Sequence, residues 1–99
     1  MSVAEVEALL RARLPDFSSL NATVKIELGD DRLYIDGTQR PATLSHDDAD
    51  ADCTLTVSTD NLQNMLNGSL DPTMAFMTGK LKISGSTGIA MKLAGILRE

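Results

Sequence analysis

The chain has 99 residues, of which 42% are hydrophobic and 3% aromatic, and it contains no tryptophan. This length predicts one domain over residues 1–99, with an aliphatic, methionine-rich core. The net charge of −5 argues against a nucleic-acid partner, because binding to phosphates requires a basic surface. No run reaches the roughly 20 apolar residues of a membrane span, and the N-terminus lacks a signal-peptide pattern. Cys53 is the only cysteine, which fits a reducing cytoplasm.

The first half of the chain predicts a helix followed by three strands. Residues 2–5 have the spacing of a capping box, and Pro15 is expected to end the helix that they begin. Apolar and polar residues alternate over residues 20–28, which predicts a half-buried strand with Val24 and Ile26 on its inward face. Two further strands are expected over residues 32–36 and 42–46.

The second half predicts two more strands with a helix between them. An acidic stretch, residues 47–52, precedes a strand over residues 53–58, and residues 80–84 alternate again. Leucines and a methionine at helical spacing mark the amphipathic helix, which Gly68 is expected to end. The inward positions of these three elements are Cys53, Leu55, Val57, Leu62, Met65, Leu66, Leu81 and Ile83.

A short helix is expected between Asp71, as its N-cap, and Gly79, just past its end. Pro72 fits the first turn of such a helix. Four consecutive apolar residues follow, including Met74, Phe76 and Met77, so the helix has almost no polar side. It is therefore either packed on several sides or placed beside an interior space.

The last helix has an apolar arc of roughly 160°, wider than the stripe of about 100° that a surface helix needs. Ile89, Leu93 and Leu97 lie in this arc, and Met91 lies outside it. Such a broad arc predicts contact with several neighbouring elements, or with a neighbour and a ligand.

Charge is distributed unevenly along the chain. Residues 15–78 carry eleven acidic and three basic side chains, a net charge of −8, whereas residues 79–99 carry a net charge of +3. The most hydrophobic third is thus also the only basic third. Either it meets lipid headgroups in transient membrane contact, or its lysines simply cover the solvent side of a strand and a helix.

Four sequence strings resemble the sterol carrier protein-2 (sterol-binding) domain family. They are ADCTLTV at residues 51–57, NG-x-LDP at 67–72, AFMTGKLKI-x-G at 75–85 and AMKL at 90–93. The resemblance implies an α+β fold: a five-stranded mixed sheet ordered as helix, three strands, crossover, strand, helices, strand, helix. It further implies a hydrophobic tunnel between sheet and helices that carries lipid without catalysis.

Under this resemblance the expected ligand is a fatty acid, an acyl-CoA, or a sterol-like, isoprenoid or quinone-precursor lipid, with no cofactor. Because the chain is acidic and its last residues do not match a peroxisomal signal, we expect a stand-alone cytoplasmic carrier that is not fused to an enzyme and is monomeric or weakly dimeric. The expected tunnel residues are Val24, Ile26, Leu55, Val57, Leu62, Met65, Leu66, Met74, Phe76, Met77, Ile83, Ile89, Met91, Leu93 and Leu97.

Two places are candidates for holding a polar headgroup. Arg13 projects within the apolar arc of the first helix and would suit a carboxylate; alternatively, it reaches water or pairs with an acid such as Asp16. Gly85, Ser86 and Gly88 lie between a strand and a helix, where backbone N–H groups suit a phosphate.

Enzymatic readings find little support in the sequence. His46 is the only histidine and is expected to be solvated, so a metal site or a catalytic triad would depend on it alone. The acidic stretch fails as a calcium loop, because Cys53 and Thr59 occupy the positions that require glycine and glutamate. The alternative to a carrier is an interaction module whose apolar last helix docks a partner enzyme or a second copy.

Overall fold

The computed structural model describes residues 3–97 and shows five helices and five strands. A 3₁₀ turn, Ser18–Leu20, precedes the first strand. The helices are α1 (Val3–Arg11), α2 (Leu14–Phe17), α3 (Thr59–Leu66), α4 (Pro72–Met77) and α5 (Thr87–Leu97). The strands are β1 (Thr23–Leu28), β2 (Asp31–Asp36), β3 (Thr43–Ser45), β4 (Cys53–Val57) and β5 (Leu81–Gly85).

The strands form one mixed sheet in the order β3-β2-β1-β4-β5. Neighbouring strands are antiparallel except β1 and β4, which run parallel because the chain crosses over between β3 and β4. Register places Leu33, Ile26, Leu55 and Ile83 side by side in one row across four strands. The predicted α+β fold with a five-stranded mixed sheet is confirmed.

One face of the sheet packs against the helices, and the other is polar. Apolar residues alternate along β1, β2 and β4, so every second side chain is buried on the inner face. Val6, Leu10 and Phe17 of the N-terminal helices, together with Leu62 and Met65 of α3, are fully buried against it. This packing makes the half of the domain under α1 to α3 a solid core.

The acidic stretch before β4 contacts polar and basic side chains on the outer face of the sheet. The Asp48 carboxylate accepts a hydrogen bond from Lys25 Nζ at 3.0 Å and lies 3.5 Å from Arg32 Nε. The lysine hydrogen bond, followed by the arginine charge, holds the pKa of Asp48 below its usual value. The Tyr34 hydroxyl donates to the Asp50 carbonyl at 3.2 Å. These contacts attach the acidic stretch to the outer face of the sheet, which indicates a structural function for it.

His46 is exposed, as the sequence predicts, and it also contacts α1. Its side chain is mostly exposed, yet Nε2 lies 2.7 Å from Glu7 Oε1 and joins the end of β3 to α1. This contact, with the hydrogen bond from Arg11, lowers the pKa of Glu7. The histidine thus links two elements of the fold.

The N-terminal region also differs from the prediction in two places. Pro15 does not merely end a helix: it occupies the first turn of α2, where a missing N–H costs nothing. Asn21 has a left-handed backbone (φ +53°) after the 3₁₀ turn, so β1 begins at Thr23 and not at residue 20. The predicted capping box begins at Ser2, outside the described residues.

Candidate functional site

A cleft of about 440 Å³ opens between α4, α5 and the inner face of β4 and β5. Its lining contains no charged side chain among the described residues, and the threonine hydroxyls are the only polar side-chain groups. The lining residues are Leu55, Pro72, Thr73, Phe76, Leu81, Ile83, Gly85, Thr87, Ala90, Met91, Leu93, Ala94, Gly95 and Leu97.

Small residues on α5 create the space. Ala90 and Ala94 are four residues apart and therefore lie one above the other on the helix, both facing the cleft. A Cβ built on the neighbouring Gly95 would meet no heavy atom within 4 Å. Because the side chains at these positions are short, they leave the volume between α5 and the sheet unfilled.

The floor and the rim of the cleft have different exposure. Leu55 and Ile83 pair across β4 and β5 on the inner face and form the floor, where Leu55 is buried and Ile83 is half-buried. Phe76 of α4 and Met91 of α5 line the same cleft but are largely exposed. The cleft is therefore apolar at its base, and its solvent-exposed rim includes these two side chains.

The end of β5 is fixed against the start of β4. Gly85 has φ +106°, and a Cβ there would clash with the Asp52 carbonyl, so only glycine fits. The Ser86 N–H donates to the same carbonyl at 3.1 Å, and Ser86 Oγ accepts from the Ile89 N–H at 3.4 Å. Of the three predicted phosphate-binding residues, Gly85 lines the cleft, whereas Ser86 and Gly88 do not.

Arg13 lies outside the cleft lining and has other partners. Its Nη1 donates to the Ile96 and Leu97 carbonyls at 3.1 and 3.2 Å, and its Nη2 donates to the Leu66 carbonyl. These carbonyls end α5 and α3, where a positive charge also interacts favourably with the helix dipole. The contacts favour a structural function for Arg13, and a headgroup contact at this residue stays a prediction.

Six of the fifteen predicted tunnel residues line the cleft, and the other nine lie elsewhere. Those lining it are Leu55, Phe76, Ile83, Met91, Leu93 and Leu97. Those buried in the core, outside the lining, are Val24, Ile26, Val57, Leu62, Met65 and Leu66. Ile89 is half-buried against that core, and Met74 and Met77 are exposed. Ligand contact by any of these residues stays a prediction.

Sequence reasoning did not select seven lining residues. They are Pro72, Thr73, Leu81, Thr87, Ala90, Ala94 and Gly95. The two alanines carried a signal, since they fall within the broad apolar arc of the last helix. Residue type alone pointed to large side chains, whereas the space depends on small ones.

Other chemical possibilities are limited within residues 3–97. In this range no three His, Cys, Asp or Glu side chains are grouped so that they could hold a metal ion. None of the helices in it has the length and apolarity needed to cross a bilayer. Burial raises the pKa of the Cys53 thiol, which disfavours the reactive thiolate.

The N-cap of α4, a helix that borders the cleft, can be tested by measuring the stability of the protein. The Asp71 carboxylate accepts from the Thr73 N–H at 2.8 Å, as predicted, and Ser58 Oγ accepts from the Asn61 N–H at 3.1 Å at the start of α3. We expect Asp71→Ala and Ser58→Ala each to lower the free energy of unfolding by about 1 kcal/mol. Urea denaturation measures both, and an Asp71→Ala variant as stable as the parent would contradict the cap.

The chain is similar in sequence to sterol carrier proteins. It is 42% identical to "Sterol carrier protein 2" of Oryctolagus cuniculus over 55 residues, which are 56% of this chain and 10% of that protein. The chain thus spans about a tenth of the length of this curated relative.

The fold is shared with solved structures. Sterol carrier protein 2 from Yarrowia lipolytica in its apo form superposes with a TM-score of 0.72 at 27% identity, covering 87% of this chain and 73% of that one. Palmitated SCP2L2 from Aedes aegypti superposes with a TM-score of 0.74 at 19% identity, covering 100% and 96%. The second likeness shows the fold alone.

A family model supports the same assignment over almost the whole chain. The model of the SCP-2 sterol transfer family matches residues 4–98. This range includes every strand of the sheet and both helices that border the cleft. The chain therefore belongs to the SCP-2 sterol transfer family.

Proposed function

We propose that the chain is an intracellular, non-catalytic carrier that binds a single long-chain lipid in the cleft between α4, α5 and the β4–β5 edge of the sheet. The observation that carries this proposal is the uncharged lining of a space of about 440 Å³. That volume lies within the range of roughly 300–1,000 Å³ typical of small-molecule sites. Membership of a lipid-binding family supports the same function.

A fatty acid is the first ligand to test. The Aedes aegypti relative of the same fold is described as palmitated, so a saturated acyl chain is a reasonable probe for this cleft. Each buried methylene contributes about 0.8 kcal/mol of gross transfer free energy, so affinity should rise with chain length until the cleft is full. The apolar floor at Leu55 and Ile83 suits the acyl chain, and the solvent-exposed rim, which includes Phe76 and Met91, suits a solvated headgroup.

Delipidated protein should be stabilised by fatty acids in a chain-length-dependent manner. At a free concentration of 100 times Kd, binding adds about 2.7 kcal/mol to the free energy of unfolding. For a domain of this size, that corresponds to a rise in Tm of roughly 10–20 °C. Thermal shift with a series from octanoic to stearic acid, together with native mass spectrometry, measures the effect. Neither adduct nor shift at any chain length would contradict the proposal.

Docking of a partner enzyme or of a second copy of the chain is the second candidate function. It is favoured by the exposure of Met77 and Met91, since large apolar side chains in solvent often mark interaction surfaces. Light scattering with and without fatty acid distinguishes the two: a monomer that takes up lipid supports the carrier. A stable dimer without lipid uptake supports the docking function.

A further inference from the structure

Four methionines lie within residues 3–97, and their surroundings differ. Met65 of α3 is fully buried, whereas Met74 and Met77 of α4 are 53% and 73% exposed. Met91 of α5 is the most exposed of the four, at 77%, and it is the one of the four that lines the cleft. Its thioether is therefore open to water and also borders the space proposed for the lipid.

Solvent access makes an exposed thioether a target for oxidation. A hydroperoxide transfers one oxygen atom to the methionine sulfur, so that the peroxide O–O bond breaks and an S–O bond forms. The sulfur loses two electrons, and the remaining peroxide oxygen leaves as water, or as an alcohol if the peroxide is organic. The single cysteine is a poor competitor, because Cys53 is buried and its burial raises the pKa of the thiol. Peroxide should therefore react first at the exposed methionines.

Oxidation at Met91 changes the chemistry of the cleft lining. Methionine is flexible and apolar, whereas its sulfoxide is polar and accepts hydrogen bonds. Among the described residues, the lining has no charged side chain, and its polar side-chain groups are the hydroxyls of Thr73 and Thr87. An acyl chain packed against the sulfoxide would displace water from the new oxygen, and burial of a polar group without a partner is unfavourable. The sulfoxide should therefore oppose lipid binding.

We propose that Met91 is a site of reversible oxidation by hydroperoxides, and that its sulfoxide weakens the binding of lipid in the cleft. This inference rests on the proposed carrier function and adds a chemical control to it. Met74 and Met77 are oxidised as well, but they lie outside the lining, so their sulfoxides leave lipid binding unchanged. Methionine sulfoxide reductases reverse the step, since two thiols become a disulfide while the added oxygen leaves as water.

Isothermal titration with palmitic acid before and after peroxide treatment tests this inference. Delipidated protein is treated with hydrogen peroxide, and peptide mass spectrometry measures the oxygen gained at each methionine. The Kd for palmitic acid should rise about fourfold or more, which corresponds to the loss of one methylene group from the apolar contact. Methionine sulfoxide reductases with dithiothreitol should return the Kd to its value before treatment.

Met91→Leu and Met77→Leu are a matched pair of variants. Each replaces an exposed thioether with a side chain that peroxide does not oxidise, and only the first alters the cleft lining. The Kd of each variant after treatment is divided by its own Kd before treatment, so that any effect of the substitution itself cancels. Peroxide should leave the Kd of Met91→Leu unchanged and should raise that of Met77→Leu by the same factor as in the parent.

Four outcomes would overturn the inference. They are resistance of Met91 to peroxide while Met77 is oxidised, an unchanged Kd in the oxidised parent, an equal loss of affinity in oxidised Met91→Leu, or a fall in the Tm of the lipid-free oxidised protein that accounts for the loss. A protein that takes up palmitic acid equally well before and after oxidation would refute the inference and leave the carrier proposal standing. Absence of uptake by the unoxidised protein would refute both.

Discussion

Ala94→Trp is expected to weaken the binding of palmitic acid at least about tenfold. Ala94 is half-buried, lies on α5 and faces the cleft beside Gly95, so an indole at this position projects into the space proposed for the acyl chain. Displacing only two methylenes from an apolar site costs about 1.6 kcal/mol, which already exceeds a factor of ten in Kd. Isothermal titration with palmitic acid measures the change directly.

The chain length of the ligand makes this prediction more specific. The variant should lose more affinity for palmitic acid than for octanoic acid, because the shorter chain needs less of the cleft. Leu9→Trp places the same side chain on the exposed part of α1, outside the cleft lining, and is the matched control. An unchanged affinity for palmitic acid in Ala94→Trp would mean that the ligand binds elsewhere.

The sheet was predictable from the sequence because its signal is local. Alternation at Val24 and Ile26, and again at Leu55 and Val57, places one face of each strand inward whatever packs against it. The order of the strands has no such local signal. It depends on which strands pair across the crossover. The family resemblance predicted the crossover but not the pairing of β1 with β4.

The boundaries of the cleft were only partly predictable, for a physical reason. The spacing of apolar residues identifies which face of α3 or α5 points inward. It does not show whether other side chains fill the space between that face and the sheet. Leu62 and Met65 meet the solid core under α1, whereas Leu93 meets a gap. We attribute that difference to the short side chains of Ala90 and Ala94 on α5.

Arg13 shows the same limit for a polar residue. Its position within the apolar arc predicted for the first helix marks it as unusual, although the structure places it between α1 and α2. The sequence alone cannot show that the chain ends α3 and α5 nearby, with carbonyl groups that need donors. A charge on an apolar face thus has two explanations, a ligand or a neighbouring helix terminus, and the contacts here favour the helix termini.

Arg13→Ala is therefore expected to lower the free energy of unfolding by about 2–3 kcal/mol. The substitution removes a charged donor from the carbonyls of Leu66, Ile96 and Leu97, all reached by a partly buried guanidinium. A hydrogen bond to a charged group contributes about 1.5–3 kcal/mol, and access of water to the vacated site recovers some of the loss. Thermal denaturation should show a drop in Tm of roughly 10–20 °C.

Two controls separate this effect from a general loss of charge. Arg11→Ala, two residues earlier at the end of α1, removes a surface ion pair with Glu7 and should cost no more than about 0.5 kcal/mol. Arg13→Lys keeps the charge but loses the fork of donors, so its stability should lie between those of the parent and Arg13→Ala.

Ligand binding then distinguishes the two explanations of Arg13. If Arg13 only joins α3 and α5 to the N-terminal region, Arg13→Ala should change the affinities for palmitic acid and for hexadecanol by the same factor. Both affinities are measured at a temperature at which the variant is folded. A loss confined to the acid would show that Arg13 leaves the helix termini to bind the carboxylate. Such a result would require α5 to shift on ligand entry, because the carbonyls of Ile96 and Leu97 would then need other donors.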